Sequence, residues 1–181
     1  LGIGFPDALQ ETGLTTPDPV RLQRGLRALV DAGAKSCAIE ASSIGLAEHR
    51  LAGMRIAVAV FTNFTQDHLD YHGSMEAYLT AKRALFAWPG LRAAVLNIDD
   101  AAGADLQAPA KAAGLDLWTV SQTVPARLCA REIALGPQGL QCLIREGEQQ
   151  LPLQTALIGQ YNISNLLAIG AVLHDAGIQP T

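Results

Sequence analysis

The sequence predicts an α/β fold: a mostly parallel sheet flanked by helices, with an antiparallel meander of about three strands. Three observations lead there. Short apolar runs alternate with longer amphipathic stretches through the first two thirds of the chain. Those runs are continuous instead of alternating, as in strands buried on both faces. Beyond Val120 the pattern changes to short strand-like runs separated by glycine-containing turns.

Taken in order, Leu1 to Leu14 is glycine-containing and irregular, suited to a short ribbon. Asp18 or Pro19 opens a helix to about Ala32, with Val20, Leu22, Leu26, Leu29 and Val30 as its apolar face and Gly33 as its stop. Ser36 to Ala41 reads as a buried parallel strand closing on Glu40, and Ala57 to Asn63 as a second. Ser74 is a good N-cap for a helix from Met75 to Ala87. A third strand follows at Ala93 to Ile98, then a helix from Asp99 to Ala113 and a fourth strand at Leu117 to Val120. The meander comprises Leu128 to Leu135, Leu140 to Arg145 and Gln150 to Leu157, and an amphipathic helix from Asn162 to Ala176 closes the chain.

At 181 residues this is one domain by length, large enough for a real core. A net charge of −4 gives no basic footprint for nucleic acid. No apolar run approaches a membrane span, and no signal peptide opens the chain. Cys37, Cys129 and Cys142 are odd in number and form no C-x-x-C pair, so they read as reduced, mostly buried thiols. The expected location is therefore cytoplasmic.

The richest stretch is Thr62 to Phe86. On a helical wheel Lys82 falls within the stripe formed by Met75, Leu79 and Phe86. A cation there must be paired, chemically altered, or snorkelling at the stripe edge. Just upstream, Asp67, His68, Asp70 and His72 could hold a hard cation or a substrate. Glu40 closes an apolar strand, and in parallel sheets strand carboxyl ends face the ligand crevice; it is equally a solvated strand-end glutamate. Ser42 and Ser43 are loop hydroxyls or a helix cap. Thr15-Thr16-Pro17 is by itself a turn before a helix. Arg50 offers a planar fork for phosphate or carboxylate. Asn162 and Asn165 share a helix face. Gly33-Ala34-Lys35-Ser36 is not a phosphate loop, because it lacks the Gly-Lys pair and enters a strand.

The run DHLDYHGSMEAYLTAKRALF at Asp67 to Phe86 resembles the signature of the Mur ligases, ATP-dependent peptide ligases of bacterial cell-wall precursor synthesis. TTPDP at Thr15 to Pro19, EASSIGLAEHRL at Glu40 to Leu51 and GQYNISNLLAIGAVL at Gly159 to Leu173 match in the right order. Within the family the similarity is greatest to ligases that add the third stem-peptide residue. The resemblance implies a central ATPase-type domain, with ATP and Mg²⁺ as cofactors. It implies UDP-N-acetylmuramoyl-L-alanyl-D-glutamate and a diamino acid, meso-diaminopimelate or L-lysine, as substrates. It implies Glu40, His68 and a carbamylated Lys82 around Mg²⁺, with Asp67 supporting them. Thr15, Thr16, Ser42, Glu48 and Arg50 would meet the muramoyl peptide, and Asn162 and Asn165 the adenine. Three positions depart from the family pattern: Leu14 for asparagine, Ile44 for histidine and Glu48 for glutamine. Glu48 adds negative charge near an anionic substrate. The chain opens in mid-motif, so residues 1–181 are expected to be part of a central domain without its upstream phosphate loop, N-terminal domain or C-terminal ligase domain, and inactive alone. The alternatives are a folylpolyglutamate- or cyanophycin-synthetase-like ligase, which the YHGSMEAY stretch disfavours, and a non-catalytic nucleotide-sugar-binding module.

Overall fold

The computed structural model describes residues 2–67 and 69–178. In chain order the elements begin with β1 (Gly2–Ile3), β2 (Gln10–Glu11), α1 (Pro19–Asp31), α2 (Ser43–Ala47) and β3 (Val58–Phe61). Then come α3 (Leu69–His72), α4 (Met75–Arg83), a 3₁₀ turn (Ala84–Ala87), β4 (Ala93–Asn97), α5 (Ala101–Asp105) and α6 (Gln107–Ala112). The chain finishes with β5 (Asp116–Ser121), β6 (Leu128–Gly136), β7 (Gly139–Glu146), β8 (Gln149–Thr155) and α7 (Tyr161–Asp175). The chain forms two compact units, Leu1–Arg55 with Gln66–Leu85, and Ile56–Thr65 with Phe86–Thr181.

The first unit is helices and loops with a two-stranded ribbon, β1 antiparallel to β2. Asp18 caps α1, its Oδ1 accepting from the N–H groups of Val20 and Arg21 at 3.0 Å each. Pro19 at the first helical position needs no N–H partner there. Of the expected apolar face only Leu22 is fully buried; Val20 and Val30 are exposed. The strand expected at Ser36 to Ala41 does not form. A strand needs a ladder, and this segment has none among the described residues; Ser36, Cys37, Ala38 and Glu40 lie exposed. The segment is anchored at its end by the Glu40 carbonyl, which accepts from the Thr16 hydroxyl at 2.7 Å.

The second unit is the predicted sheet. Its order is β3-β4-β5-β6-β7-β8, parallel from β3 to β6 and antiparallel from β6 to β8. All five residues of β4 are buried, as expected of a central parallel strand. Ile163, Leu167, Ala168 and Ala171 of α7 pack with Val95, Trp118, Val120, Leu128 and Leu140 into one core. Arg92 clamps the far end of α7 with two hydrogen bonds to Asp175, at 3.0 and 2.7 Å. Pro152, which cannot donate to a ladder, sits on the edge strand β8. A bulge in β6 between Arg131 and Ala134 coincides with Glu132 at φ 53°.

The single helix expected from Asp99 to Ala113 is two, α5 and α6, meeting at Leu106. Pro109 explains the break: without an N–H it cannot bond the Asp105 carbonyl, and its ring disfavours a continuous turn there. Gly103 lets α5 lie directly on the end of β4, where a Cβ would collide with the Asn97 carbonyl oxygen.

Asp99 joins two strand ends. Its carboxylate accepts from the Ser121 hydroxyl at 2.6 Å, the Gln122 N–H at 2.6 Å and the Thr123 hydroxyl. Partial burial pushes its pKa up, but these hydrogen bonds together outweigh burial and hold it below the ordinary carboxylate value. A depressed folded-state pKa gives stability that is present above the unfolded value, about 3.9, and is lost as pH falls through the folded value. Urea melts should therefore show a stability gap between wild type and Asp99→Asn that is constant near neutrality and narrows below pH about 4. A gap that widens on acidification would contradict this role.

Candidate functional site

Thr16 is fully buried and its hydroxyl is committed twice. It donates to the Glu40 carbonyl at 2.7 Å and accepts from the Ser42 N–H at 2.9 Å. This joins the loop before α1 to the start of α2. Gly45 permits the approach, since a Cβ there would lie 2.7 Å from the Thr16 Cβ. Ser42 caps α2, its Oγ accepting from the Gly45 N–H at 3.0 Å, and among the described residues its own hydroxyl proton has no acceptor. Thr15 is exposed.

The C-terminus of α2 aims Arg50. The Arg50 N–H bonds the Gly45 carbonyl at 2.8 Å and the His49 N–H bonds the Leu46 carbonyl at 3.1 Å, a Schellman motif with His49 left-handed at φ 55°. The same motif closes α1, α6 and α7, where the left-handed residue is Gly33, Gly114 or Gly177. Only at α2 does a side chain occupy that position, and it lies beside the arginine. Arg50 turns back so that its Nη1 donates to the Thr16 carbonyl at 2.8 Å. Its Nε and Nη2 both donate to Glu48 Oε2, at 2.8 and 2.5 Å. The other Glu48 oxygen accepts from the Tyr71 hydroxyl at 3.3 Å. Burial and the neighbouring Glu48 charge push the Tyr71 phenol above its usual pKa.

A second set of contacts ties α2 to α3 and α4. Ser43 Oγ and His72 Nε2 share a hydrogen bond of 2.9 Å. His72 stacks on Tyr78, ring centroids 5.3 Å apart, and Lys82 Nζ lies 5.2 Å from the Tyr78 centroid. Burial, then the Asp67 charge, raises the Tyr78 pKa. Sequence periodicity placed Lys82 on the core stripe; the fully buried residue of α4 is instead Tyr78, and Lys82 is half-buried beside it. An open groove of about 590 Å³ runs along these helices, lined by His49, His72, Ser74, Glu76 and Thr80 among others.

Glu40 is exposed and Asp67 is exposed; His68 lies outside the described residues. Among the described residues no group of three or more His, Cys, Asp and Glu side chains is placed to hold a metal. In the sheet unit, Asn165 Nδ2 lies 3.4 Å from Asn162 Oδ1, and Asn162 Nδ2 donates to the Ile158 carbonyl at 2.9 Å. The first turn of α7 thus holds both asparagines on one face, as their spacing predicted. Sequence reasoning missed the roles of His49 and Ser43. A helix stop without glycine was the available signal for His49; nothing in the sequence marks the Ser43–His72 pair.

Residues 2–173 match the Mur ligase middle domain. The chain belongs to the Mur ligase family. It is 59% identical over 98% of its length to a protein of Acidovorax sp. (strain JS42) named UDP-N-acetylmuramoyl-L-alanyl-D-glutamate--2,6-diaminopimelate ligase. It is 44% identical over 96% of its length to the protein of that name from Pseudomonas aeruginosa. The chain spans 36% of the length of each. A solved structure of a ligase with that name superposes with a TM-score of 0.90 at 33% identity, covering 98% of this chain and 37% of that one. A MurF structure from Acinetobacter baumannii, at 21% identity and TM-score 0.58 over 67% of this chain and 26% of that one, shares the fold.

Left-handed backbone costs a non-glycine residue about 1 kcal/mol. His49→Gly should raise the free energy of unfolding by about 0.5–1 kcal/mol while removing a groove-lining side chain. Chemical denaturation checks this; a destabilised glycine variant would mean that the imidazole makes a contact worth more than the strain.

Proposed function

We propose that this Mur ligase segment serves an ATP-dependent amide-forming ligase of peptidoglycan precursor synthesis, which joins 2,6-diaminopimelate to UDP-N-acetylmuramoyl-L-alanyl-D-glutamate. The observation that carries the reading is the Thr16–Arg50–Ser42 cluster: Thr16 fixes a guanidinium on its backbone carbonyl and, through its hydroxyl, the Ser42 that caps α2. Such a pair suits a phosphate or carboxylate of a nucleotide-sugar peptide. The names carried by the more similar relatives support the same substrates.

In this reading the substrate's terminal carboxylate attacks the γ-phosphorus of ATP, forming an acyl phosphate and releasing ADP. The amine of the incoming diamino acid then attacks the acyl carbon, loses a proton and expels phosphate. Arg50 and Ser42 hold the muramoyl peptide, with Thr15 exposed beside them. Thr16 has both hydroxyl functions engaged within the protein, so it acts by positioning Ser42 and Glu40. Asn162 and Asn165 present amide edges of the kind that match adenine.

The donor chemistry fits Mg²⁺ in part. Glu40 offers an exposed carboxylate, a hard oxygen donor, and Mg²⁺ completes its shell with waters and substrate phosphates. Glu40 and a carbamylated Lys82 would hold it, together with His68. When bound it would neutralise charge on the transferring phosphoryl group. Carbamylation joins the neutral Lys82 amine to CO₂ with loss of a proton, and converts a half-buried cation into an anion. The reading places the reaction in the cytoplasm, where ATP is available.

The full-length protein tests this through ADP release that requires both the muramoyl dipeptide and the diamino acid. Arg50→Ala should weaken the muramoyl dipeptide about 10- to 100-fold with ATP affinity unchanged. Lys82→Ala should abolish turnover, and acetate should restore part of it by standing in for the carbamate. Loss of ATP affinity in Arg50→Ala, or full activity in Lys82→Ala, would contradict these assignments.

A further inference from the structure

Each of the three guanidinium nitrogens of Arg50 has an acceptor within the chain. Nη1 is on the Thr16 carbonyl, while Nε and Nη2 converge on one oxygen of Glu48. The two ends of this arrangement differ in permanence. The Thr16 contact is to backbone, next to a fully buried side chain. The Glu48 contact is to a side chain 41% exposed, against 15% for Arg50. Among the described residues the other oxygen of Glu48 is held by just the 3.3 Å contact from Tyr71. Glu48 is the C-cap residue of α2, so its backbone stays in place whatever its side chain does.

We propose that Glu48 is an internal competitor for the anion site of Arg50. Its carboxylate occupies the Nε/Nη2 edge in the free protein, and a phosphate or carboxylate of the nucleotide-sugar peptide displaces it. This rests on the substrate reading above and goes beyond it by assigning Glu48 opposition to binding in place of direct contact. The displacement is inexpensive because the incoming anion replaces the Glu48 charge on the same guanidinium edge, and because the released carboxylate, already 41% exposed, swings into water. Arg50 does not need to move, since Nη1 keeps it on Thr16. Glu48 therefore trades affinity for a guanidinium that is never left unpaired while empty, and it disfavours weakly charged ligands that cannot win the exchange.

The competing account is a permanent ion pair in which Glu48 orients Arg50 for the substrate. The two differ in sign. Glutamine at position 48 keeps an amide oxygen for Arg50 Nε but removes the charge. Under competition, Glu48→Gln in the full-length protein binds UDP-N-acetylmuramoyl-L-alanyl-D-glutamate about three- to tenfold more tightly by calorimetry. Glu48→Ala shifts in the same direction, and ATP affinity is unchanged in both. Equal or weaker binding in Glu48→Gln, while Arg50→Ala still loses affinity, overturns the proposal and leaves the substrate reading intact. If wild type does not bind this probe at all, the substrate reading fails and the proposal falls with it.

Discussion

The buried Thr16 hydroxyl is the interaction on which the candidate site depends. The first unit has little regular structure to organise it, and its longest helix, α1, buries only one residue fully. A side chain that is completely enclosed, donating to Glu40 and accepting from Ser42, therefore does what a sheet ladder does elsewhere. Leaving either polar partner unsatisfied in that interior would cost about 1–3 kcal/mol. Once the two segments are joined, α2 starts at its Ser42 cap, Gly45 accepts the threonine against its backbone, and Arg50 finds the Thr16 carbonyl. Each of these steps uses a group placed by the preceding one.

The geometry of Arg50 also depends on an uncommon backbone choice. Three helices end on a left-handed glycine, the residue that adopts that conformation without strain. The helix that leads to Arg50 ends on His49 and accepts the strain. Backbone strain of this kind persists where the surrounding structure over-determines it, and it clusters at binding and catalytic sites. Here the Schellman bonds hold His49 and Arg50, and the Thr16 carbonyl and the Glu48 carboxylate add contacts to Arg50.

The sheet unit was legible in the sequence because its signals are local. Continuous apolar runs at Ala93 to Ile98 and Leu117 to Val120 gave β4 and β5 to within a residue or two, and the Gly136 to Gly139 turn gave the β6–β7 hairpin. The first unit was less legible because its order comes from contacts distant in sequence. Ser36 to Ala41 carries a strand pattern, but periodicity cannot supply a partner strand. The helices α2 and α3, five and four residues long, are too short to show a period. Arg50 was singled out by its chemistry, yet its engagement with Glu48 and Thr16 needed coordinates. Lys82 was singled out by the Met75, Leu79 and Phe86 stripe, while the buried residue of α4 is Tyr78, beside that stripe.

The account's central claim is that the Thr16 splice builds the surface that receives the nucleotide-sugar peptide. Thr16→Val in the full-length protein tests it most directly, with Thr16→Ser as its partner, since valine keeps the shape and serine keeps the hydroxyl. The measurement is the dissociation constant for UDP-N-acetylmuramoyl-L-alanyl-D-glutamate, with ATP affinity as the internal reference. The account predicts that serine binds within about threefold of wild type, and that valine binds at least about tenfold more weakly at unchanged ATP affinity. Valine binding the muramoyl dipeptide as tightly as wild type would contradict it.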